Sequence, residues 1–372
     1  MLTKNKYFIS NKLKHTKKNS VNIKSPTLLD EIHIGKQLGK GAYGTTYLAT
    51  DNKNNKYAYK IERILPKEIP KSFKSIYWRE NDFAINLANK YPDQFMTLYD
   101  SKIDSSCTHQ QDYSDMSFKI NNLPKERQNY FKKLNTSPYY NIKLWSLIDG
   151  TMEDLVLYKL KVSRNIFYDL LLQIVYIVYL INTAGYLHND FHMGNISYLK
   201  TDKKTISILG HNIPTHGYFI KAIDYGLVLH NKYQMTKNEH IDYENNNDLL
   251  TVFNMFSIEW RKTENISNKE WDWEHQWMKP IKISKTEKEV LEHYLPTNNA
   301  NGNQLSKGVY DFLINKLFKL LEWQKWQQRV IGDDNIKCIE PHYLIPLENL
   351  LFLVKNIYNP KKVIEYLIKM RI

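Results

Sequence analysis

Cysteine is nearly absent from this 372-residue chain, in which Cys107 and Cys338 are the only two. Two cysteines cannot build the disulfide framework of a small secreted domain, so a reducing compartment is the simpler expectation. Long apolar runs are also missing, because residues 166–181, the longest such run, contain Asp169 and Gln173. A bilayer-spanning helix needs about 20 apolar residues, so we predict no membrane span.

Acidic residues are fewer than basic ones, 39 against 52, which gives a net charge of +13. Such an excess favours polyanionic partners, although a diffuse lysine excess is more typical of solvated surface. Residues 1–24 contain seven lysines and no acid. We expect residues 1–27 to form a flexible basic arm, with nucleic-acid binding as the weaker alternative to a disordered tail.

The chain is expected to change from strands to helices along its length. Alternating apolar residues around glycine and polar turns predict three antiparallel strands in residues 31–63, followed by a helix over 75–90. Residues 100–141 are polar and are interpreted as an insertion before another strand at 142–148. After residue 150 the chain is expected to be mainly helical, and an apolar, buried helix is predicted for residues 166–182.

A glycine-rich turn joins the first two predicted strands. Gly39, Gly41 and Gly44 give the GxGxxG spacing, which lets backbone amides approach phosphate oxygens. A strand follows the turn, which argues against a dinucleotide fold, and no P-loop lysine follows Gly44. The predicted nucleotide-binding residues are Leu38, Gly39, Lys40, Gly41, Ala42, Tyr43, Gly44, Thr45, Thr46 and Lys60.

Three further positions have the chemistry of a phosphate and metal site. Lys60, on the third strand, could bridge phosphates if Glu80 of the next helix fixed its ammonium, with Glu62 and Asp82 as other possible partners. Residues 220–226 are interpreted as an alternating strand that ends in a carboxylate, an aromatic residue and a glycine. The carboxylate, Asp224, offers a hard oxygen ligand for magnesium.

The octet His188–Asn195 follows the apolar helix and places a carboxylate and an amide five residues apart. Asp190 can accept the proton of an attacking hydroxyl, and Asn195 can bind magnesium. We therefore predict Asp190 as a base and Asn195 with Asp224 as metal ligands.

Taken in order, these motifs resemble the eukaryotic-type protein kinase superfamily, whose motifs are GxGxxGxV, VAIK, a helix glutamate, HRDLKxxN and DFG. The resemblance implies an α+β, two-lobed fold, with a small antiparallel β-rich lobe at 28–150 and a larger helical lobe at 151–372. It also implies ATP, Mg²⁺ or Mn²⁺, and catalytic roles for Asp190, Lys60, Glu80 and His192.

His192 is a departure from the family pattern, because it replaces a lysine that helps to neutralise the γ-phosphate. HxDxHxxN is more similar to the aminoglycoside and choline kinase branch, although a neutral histidine can still donate a hydrogen bond. No APE motif follows Asp224, and Asp248 is proposed for the aspartate of the central helix. The insertion and the Lys, Asn and Ile richness are similar to divergent kinases of large DNA viruses.

The favoured expectation is a serine/threonine protein kinase that phosphorylates protein hydroxyls. A small-molecule kinase and a catalytically inactive ATP-binding scaffold are the alternatives. The expected location is the cytoplasm, or the host cytoplasm or virion if the viral resemblance holds. The sequence does not indicate an oligomeric state.

Replacing Lys60 by Met should abolish phosphate transfer while the protein remains folded, because the side chain keeps its length but loses its charge. Transfer from labelled ATP, with circular dichroism of the same preparation, checks this. An active and folded variant would remove Lys60 from the site.

Overall fold

A computed structural model describes eight stretches of the chain: residues 28–40, 44–105, 125–152, 164–252, 285–298, 304–311, 313–314 and 352–371. Within them the protein is α+β, with antiparallel sheets and several helices, as the sequence predicts. The expected basic arm at 1–27, three loop residues (Gly41, Ala42 and Tyr43) and both cysteines lie outside the described residues.

The largest sheet has five strands: β1 (His33–Lys40), β2 (Gly44–Thr50), β3 (Lys56–Ile64), β4 (Leu98–Asp104) and β5 (Tyr139–Ser146). Their order in the sheet is β1-β2-β3-β5-β4, and every neighbouring pair is antiparallel. The predicted three-strand meander is therefore confirmed. β3 lies at the centre of the sheet, hydrogen-bonded on both sides.

Two helices separate strands of this sheet along the chain. α1 (Ile76–Asn86) lies between β3 and β4, and α2 (Lys125–Asn135) lies between β4 and β5. α1 ends earlier than predicted, and a 3₁₀ turn, Ala88–Lys90, follows it ahead of Pro92. The predicted insertion bounds of 100–141 were too wide, because β4 continues to Asp104 and β5 already begins at Tyr139. Pairing between these strands extends further than the polar side chains of that region indicated.

Helix α3 (Arg164–Thr183) is the predicted apolar helix, longer by two residues at its start and one at its end. Its described side chains are buried on several faces, including Leu171, Ile174 and Ile177. A helix that is apolar all round belongs in a core rather than at a surface. Gly185, with φ +77°, follows its end in the left-handed conformation that glycine adopts without strain.

One short strand, β6 (Gly150–Thr151), precedes α3 in the chain. The strands that follow α3 are β7 (Tyr186–Leu187), β8 (Ile196–Lys200), β9 (Thr205–Ile208), β10 (His211–Pro214), β11 (Tyr218–Ala222) and β12 (Leu229–His230). They form a three-stranded sheet, β11-β8-β6, and two pairs, β9 with β10 and β7 with β12. The alternation predicted around Ile220 was wrong, because Phe219, Ile220, Lys221 and Ala222 are all buried.

Three further helices have both ends within the described stretches: α4 (Lys237–Asn245), α5 (Lys285–Glu292) and α6 (Pro360–Met370). α6 packs against α3. Its buried side chains, Val363, Ile364 and Leu367, join the large hydrophobic cluster that surrounds α3. None of the helices in the described stretches is both long and apolar enough to cross a bilayer.

Asp169, a buried residue of α3, links the chain's terminal helix to the β10–β11 turn. Its carboxylate accepts a hydrogen bond from His216 Nε2 at 2.7 Å and forms an ion pair with Arg371. His216 (φ +52°) and Gly217 (φ +84°) are both in the left-handed region, so the turn has a defined conformation around this contact.

We expect Asp169→Ala to lower the free energy of unfolding by about 1–3 kcal/mol, since two polar partners lose their acceptor. Arg371→Ala and the double variant complete a thermodynamic cycle measured by urea unfolding. Purely additive effects of the two substitutions would contradict an energetic link between Asp169 and Arg371.

Candidate functional site

Lys60 is the cation around which the site is built, and β3 determines its position. Thr46 of β2 and Lys143 of β5 are its cross-strand neighbours, so the three side chains share one face of the sheet. Three carboxylate oxygens surround the Lys60 ammonium: Glu62 Oε1 at 2.9 Å, Asp224 Oδ1 at 3.6 Å and Glu80 Oε1 at 3.9 Å. Glu80 lies where the sequence predicts, but Glu62 is the nearer partner.

A second lysine, Lys143, lies beneath the same glutamates and is fully buried. Its ammonium forms an ion pair with Glu80 Oε2 and lies 3.4 Å from Glu62 Oε2. Asn141 Nδ2 donates a hydrogen bond to that same Glu62 oxygen at 2.9 Å. Two lysines therefore alternate with two glutamates in one network, which we call the lysine–glutamate network.

The pKa values of these groups follow from burial and from their neighbours. Burial alone would lower the pKa of Lys60, but Asp224, Glu62 and Glu80 together raise it well above its ordinary value. The Lys60 ammonium in turn is the main cause of the lowered pKa of Asp224. Lys60 therefore stays charged and Asp224 stays ionised near neutral pH.

The two glutamates differ from each other in their pKa. Burial raises the pKa of Glu80, although Lys143 and Lys60 oppose it. Burial acts in the same direction on Glu62, but there Lys60 and Lys143 together prevail, so the pKa of Glu62 is lowered. Glu62 therefore loses its proton more readily than Glu80 does, which is consistent with its shorter distance to Lys60.

Asp190 and Asn195 are joined directly, as their five-residue spacing predicts. Asn195 Nδ2 donates to Asp190 Oδ2 at 2.9 Å and to the Asp190 backbone carbonyl at 2.8 Å. His192 Nδ1 accepts a hydrogen bond from Gly194 N–H, so a neutral His192 carries its proton on Nε2. That Nε2 lies 3.8 Å from Asp190 Oδ1, and both side chains are exposed to solvent.

Asp248 and His188 anchor the loop that contains Asp190 through hydrogen bonds. Asp248 accepts hydrogen bonds from the backbone N–H groups of His188, at 2.7 Å, and Asn189, at 3.0 Å. The buried His188 ring reaches in the other direction, with Nε2 3.1 Å from the carbonyl oxygen of Ile223. Asp248 thus supports the loop through its backbone groups, a contact that the sequence did not predict.

Asp224 is presented to solvent by a turn in the backbone. Its φ of +57° is left-handed, which is uncommon for a residue other than glycine. Half of its side chain is exposed, whereas the next residue, Tyr225, is fully buried. The Tyr225 hydroxyl accepts from Met96 N–H at 2.8 Å and donates to the Ala222 carbonyl at 2.8 Å. The buried tyrosine therefore fixes the turn that exposes the carboxylate.

Asn195 and Asp224 are brought near each other by the pairing of β8 with β11. Ile196 pairs with Ala222, and beyond that pair Ile223 N–H donates to the Asn195 carbonyl at 3.0 Å. An open cleft is lined by Glu62 and Glu80 together with Asp190 and Asp224. Of the sequence-predicted groups, Glu80, Asp190 and Asp224 line this cleft. Lys60 contacts two of them through its ion pairs, and Asn195 is hydrogen-bonded to the third.

Helix α1 is tied to the segment that follows Asp224. Arg79 is buried, and its guanidinium pairs with both carboxylate oxygens of Glu239 at 2.5 and 3.3 Å. Asp82, further along α1, accepts from Tyr233 at 2.9 Å and pairs with Lys232 at 2.7 Å. These contacts fix the helix that carries Glu80.

β1 and β2, on either side of the glycine-rich segment, are paired antiparallel, with Lys40 opposite Thr45 and Gly39 opposite Thr46. Leu38 is exposed and Thr45 is buried. A Cβ on Gly44 would lie 2.6 Å from Glu62 Cγ, so this glycine is needed for packing against β3. The GxGxxG spacing by itself predicts only that Gly44 lets the backbone approach phosphate oxygens.

A magnesium ion fits the donors of this site. Asn195 uses its amide nitrogen on Asp190, which turns its oxygen away from that residue, and Asp224 is ionised. Both offer the hard oxygen atoms that Mg²⁺ prefers, with phosphates and water completing its shell. Within the described residues, no cluster of three or more His, Cys, Asp or Glu side chains could hold a metal by itself.

Comparison with known proteins adds no family to this geometry. A scan against models of protein families found no match, and a search of curated proteins also found none.

Two ion-pair contacts were not predicted from the sequence: those of Lys143 with the two glutamates, and that of Arg79 with Glu239. Lys143 lies between Ile142 and Leu144, and a lysine inside an apolar strand was the available signal for a buried partner. The pair of Arg79 with Glu239 has no such signal, because both residues occur in polar helical surroundings far apart in the chain.

His188 should make the protein sensitive to acid. Burial lowers the pKa of His188 despite Asp248, Asp224 and Asp190 nearby, so the native ring stays neutral where the unfolded ring takes a proton. Stability is therefore lost as the pH falls below about 6.5, at most about 1.4 kcal/mol per pH unit.

Thermal unfolding of the wild type and His188→Gln between pH 8 and pH 5 measures this contribution. We expect the wild type to lose more stability on acidification than the variant does. Parallel pH profiles for the two proteins would contradict the assignment.

Proposed function

We propose that this protein is an ATP-dependent phosphotransferase, and that it is a serine/threonine protein kinase with the two-lobed fold of the eukaryotic-type superfamily. The observation that carries the proposal is the meeting of Lys60 with Asp224, 3.6 Å apart, beside the hydrogen-bonded Asp190 and Asn195. These residues come from separate parts of the chain, and each has a side chain suited to phosphoryl transfer.

Lys60 is the phosphate-binding group in this proposal. The raised pKa of Lys60 keeps its side chain an ammonium at neutral pH. This ammonium lies next to Asp224 of the cleft, where it can neutralise charge on two phosphates. Glu80 and Glu62 hold that ammonium from behind, at 3.9 and 2.9 Å. The chain thereby orients a charge before the nucleotide binds, which lowers the reorganisation needed during transfer.

Asn195 and Asp224 are the residues that would hold magnesium, which supplies charge neutralisation to the β- and γ-phosphates when bound. Asp224 keeps a lowered pKa through the Lys60 ammonium, so it remains an anionic ligand. Asn195 is oriented by its two hydrogen bonds to Asp190, one to the carboxylate and one to the carbonyl.

Asp190 is the base that receives the proton of the acceptor hydroxyl. One of its oxygens, Oδ2, is occupied by Asn195, and Oδ1 faces the neighbouring His192 Nε2 at 3.8 Å. The partly exposed carboxylate can therefore take a proton at Oδ1 from a hydroxyl that enters the cleft. His192 can donate its Nε2 hydrogen to phosphate or acceptor, in the place where the family has lysine.

The acceptor is proposed to be a protein hydroxyl rather than a small alcohol. The β1–β2 hairpin and the pairing of Lys60 with Glu80 support this choice, because both belong to the protein kinase pattern. His192 and the missing APE motif favour the small-molecule alternative, so the acceptor is part of the test.

Asp190→Asn should reduce phosphate transfer by about 10²- to 10⁴-fold, because the amide cannot accept the hydroxyl proton. Affinity for MgATP should change little, since Asp190 receives a proton rather than binding phosphate. Transfer of labelled γ-phosphate with Mg²⁺ or Mn²⁺ is measured on acidic proteins, basic proteins and amino alcohols. Asp202→Asn, an exposed aspartate of the turn after β8, is the matched control.

Label on serine or threonine of a protein that is lost in Asp190→Asn, but kept in Asp202→Asn, supports the proposal. Label on a small alcohol alone would replace it with a small-molecule kinase. MgATP binding with no transfer to any acceptor would instead indicate a scaffold without catalytic activity.

A further inference from the structure

The charge around Lys60 is balanced by a buried residue that does not line the cleft. Lys60 alone confronts three carboxylates, those of Glu62, Glu80 and Asp224, all within 3.9 Å of its ammonium. A single ammonium among three anions is not attractive to a further anion such as phosphate. The two buried glutamates therefore need a cation in addition to Lys60, and Lys143 contacts both of them.

Lys143 and Lys60 divide the oxygen atoms of the two glutamates between them. Both Oε1 atoms are directed to Lys60, and both Oε2 atoms are directed to Lys143. The two lysines are also direct cross-strand partners, Lys60 on β3 and Lys143 on β5. The sheet register therefore fixes the distance over which the glutamates are shared.

Burial excludes Lys143 from contact with a nucleotide in the cleft, since none of its side chain is exposed. The ring of Tyr77 from α1 lies over its ammonium at 5.2 Å and helps to separate it from water. Lys143 can act on the cleft only through Glu62 and Glu80.

We propose that Lys143 is a positioning residue for nucleotide phosphate binding, which holds the Oε2 atoms of Glu62 and Glu80 and so leaves the Lys60 charge available to phosphate. This inference rests on the proposed function. Without Lys143, both glutamates would be compensated by Lys60 alone, and the ammonium would be drawn toward the sheet and away from the cleft.

A role confined to stability predicts a different result from a role in phosphate binding. Loss of a buried ion pair lowers stability whatever the cleft does. Only the positioning role predicts that removal of one carboxylate restores phosphate binding after Lys143 has been removed. Glu62 is the carboxylate to remove, because it contacts both lysines and lies on the same strand as Lys60.

The test uses the full chain with four substitutions: Lys143→Met, Lys143→Arg, Glu62→Gln and the double variant Lys143→Met with Glu62→Gln. The dissociation constant of MgATP is measured by calorimetry, and KM and kcat are measured in the transfer assay. Melting temperature is recorded for every variant, so that loss of fold is separated from loss of binding.

We expect Lys143→Met to weaken MgATP binding by about ten- to a hundredfold, which is only part of the cost of an uncompensated buried charge, with a much smaller change in kcat. Lys143→Arg keeps the charge and should stay close to the wild type. Glu62→Gln alone gives the reference affinity without that carboxylate, and the double variant should lie much closer to this reference than Lys143→Met lies to the wild type. If Lys143→Met does not fold, Lys143→Gln takes its place in the same comparison, with the same expected loss and the same expected recovery in combination with Glu62→Gln.

Unchanged MgATP affinity in folded Lys143→Met, or equal loss in the presence and absence of Glu62→Gln, would overturn the inference and leave the proposed function standing. A wild type that binds MgATP but transfers no phosphate would overturn the proposed function, while the binding constants would still decide the role of Lys143. A wild type that does not bind MgATP would overturn both.

Discussion

The lysine–glutamate network constrains the rest of the structure, because its charges are buried and can be stable only together. Lys60 and Glu62 come from β3, Lys143 from β5 and Glu80 from α1. Breaking a buried ion pair by moving one partner costs several kcal/mol, since it leaves an uncompensated charge in a medium of low polarity. Strand register and helix position are therefore coupled to the electrostatics of the cleft.

Aromatic packing extends this constraint to the segment that carries Asp224. Tyr225 contacts Phe83 of α1 and Trp145 of β5, with ring centroids 4.6 and 5.6 Å away, and His188 on its other side at 6.1 Å. The same residue thus touches the helix of Glu80, the strand of Lys143 and the loop of Asp190. Because these rings fill a dense core, a shift of one element would disturb the others.

Helix α1 has its position secured by side chains that need no modification. The Arg79 guanidinium pairs with Glu239, and Tyr233 and Lys232 both reach Asp82. A carboxylate already pairs with this buried arginine, so α1 is held against the segment that follows Asp224 by the side chains of the chain itself.

The features that the sequence predicted correctly are mostly those that depend on residues close together in the chain. The strands around the glycine turn, the apolar helix α3 and the pair of Asp190 with Asn195 all depend on neighbours within a few residues, so periodicity and spacing identify them. The proposed position of Asp248 depended instead on the family resemblance.

Tertiary structure alone decided how distant groups share charge. Glu62 is closer to Lys60 than Glu80 is, Lys143 takes the other oxygens of both, and Gly44 is required by Glu62 rather than by a ligand alone. These relations arise from cross-strand register and from burial. Sequence periodicity shows which residues face one side of a strand, but it does not show which charges will be within a few ångströms of each other once water is removed.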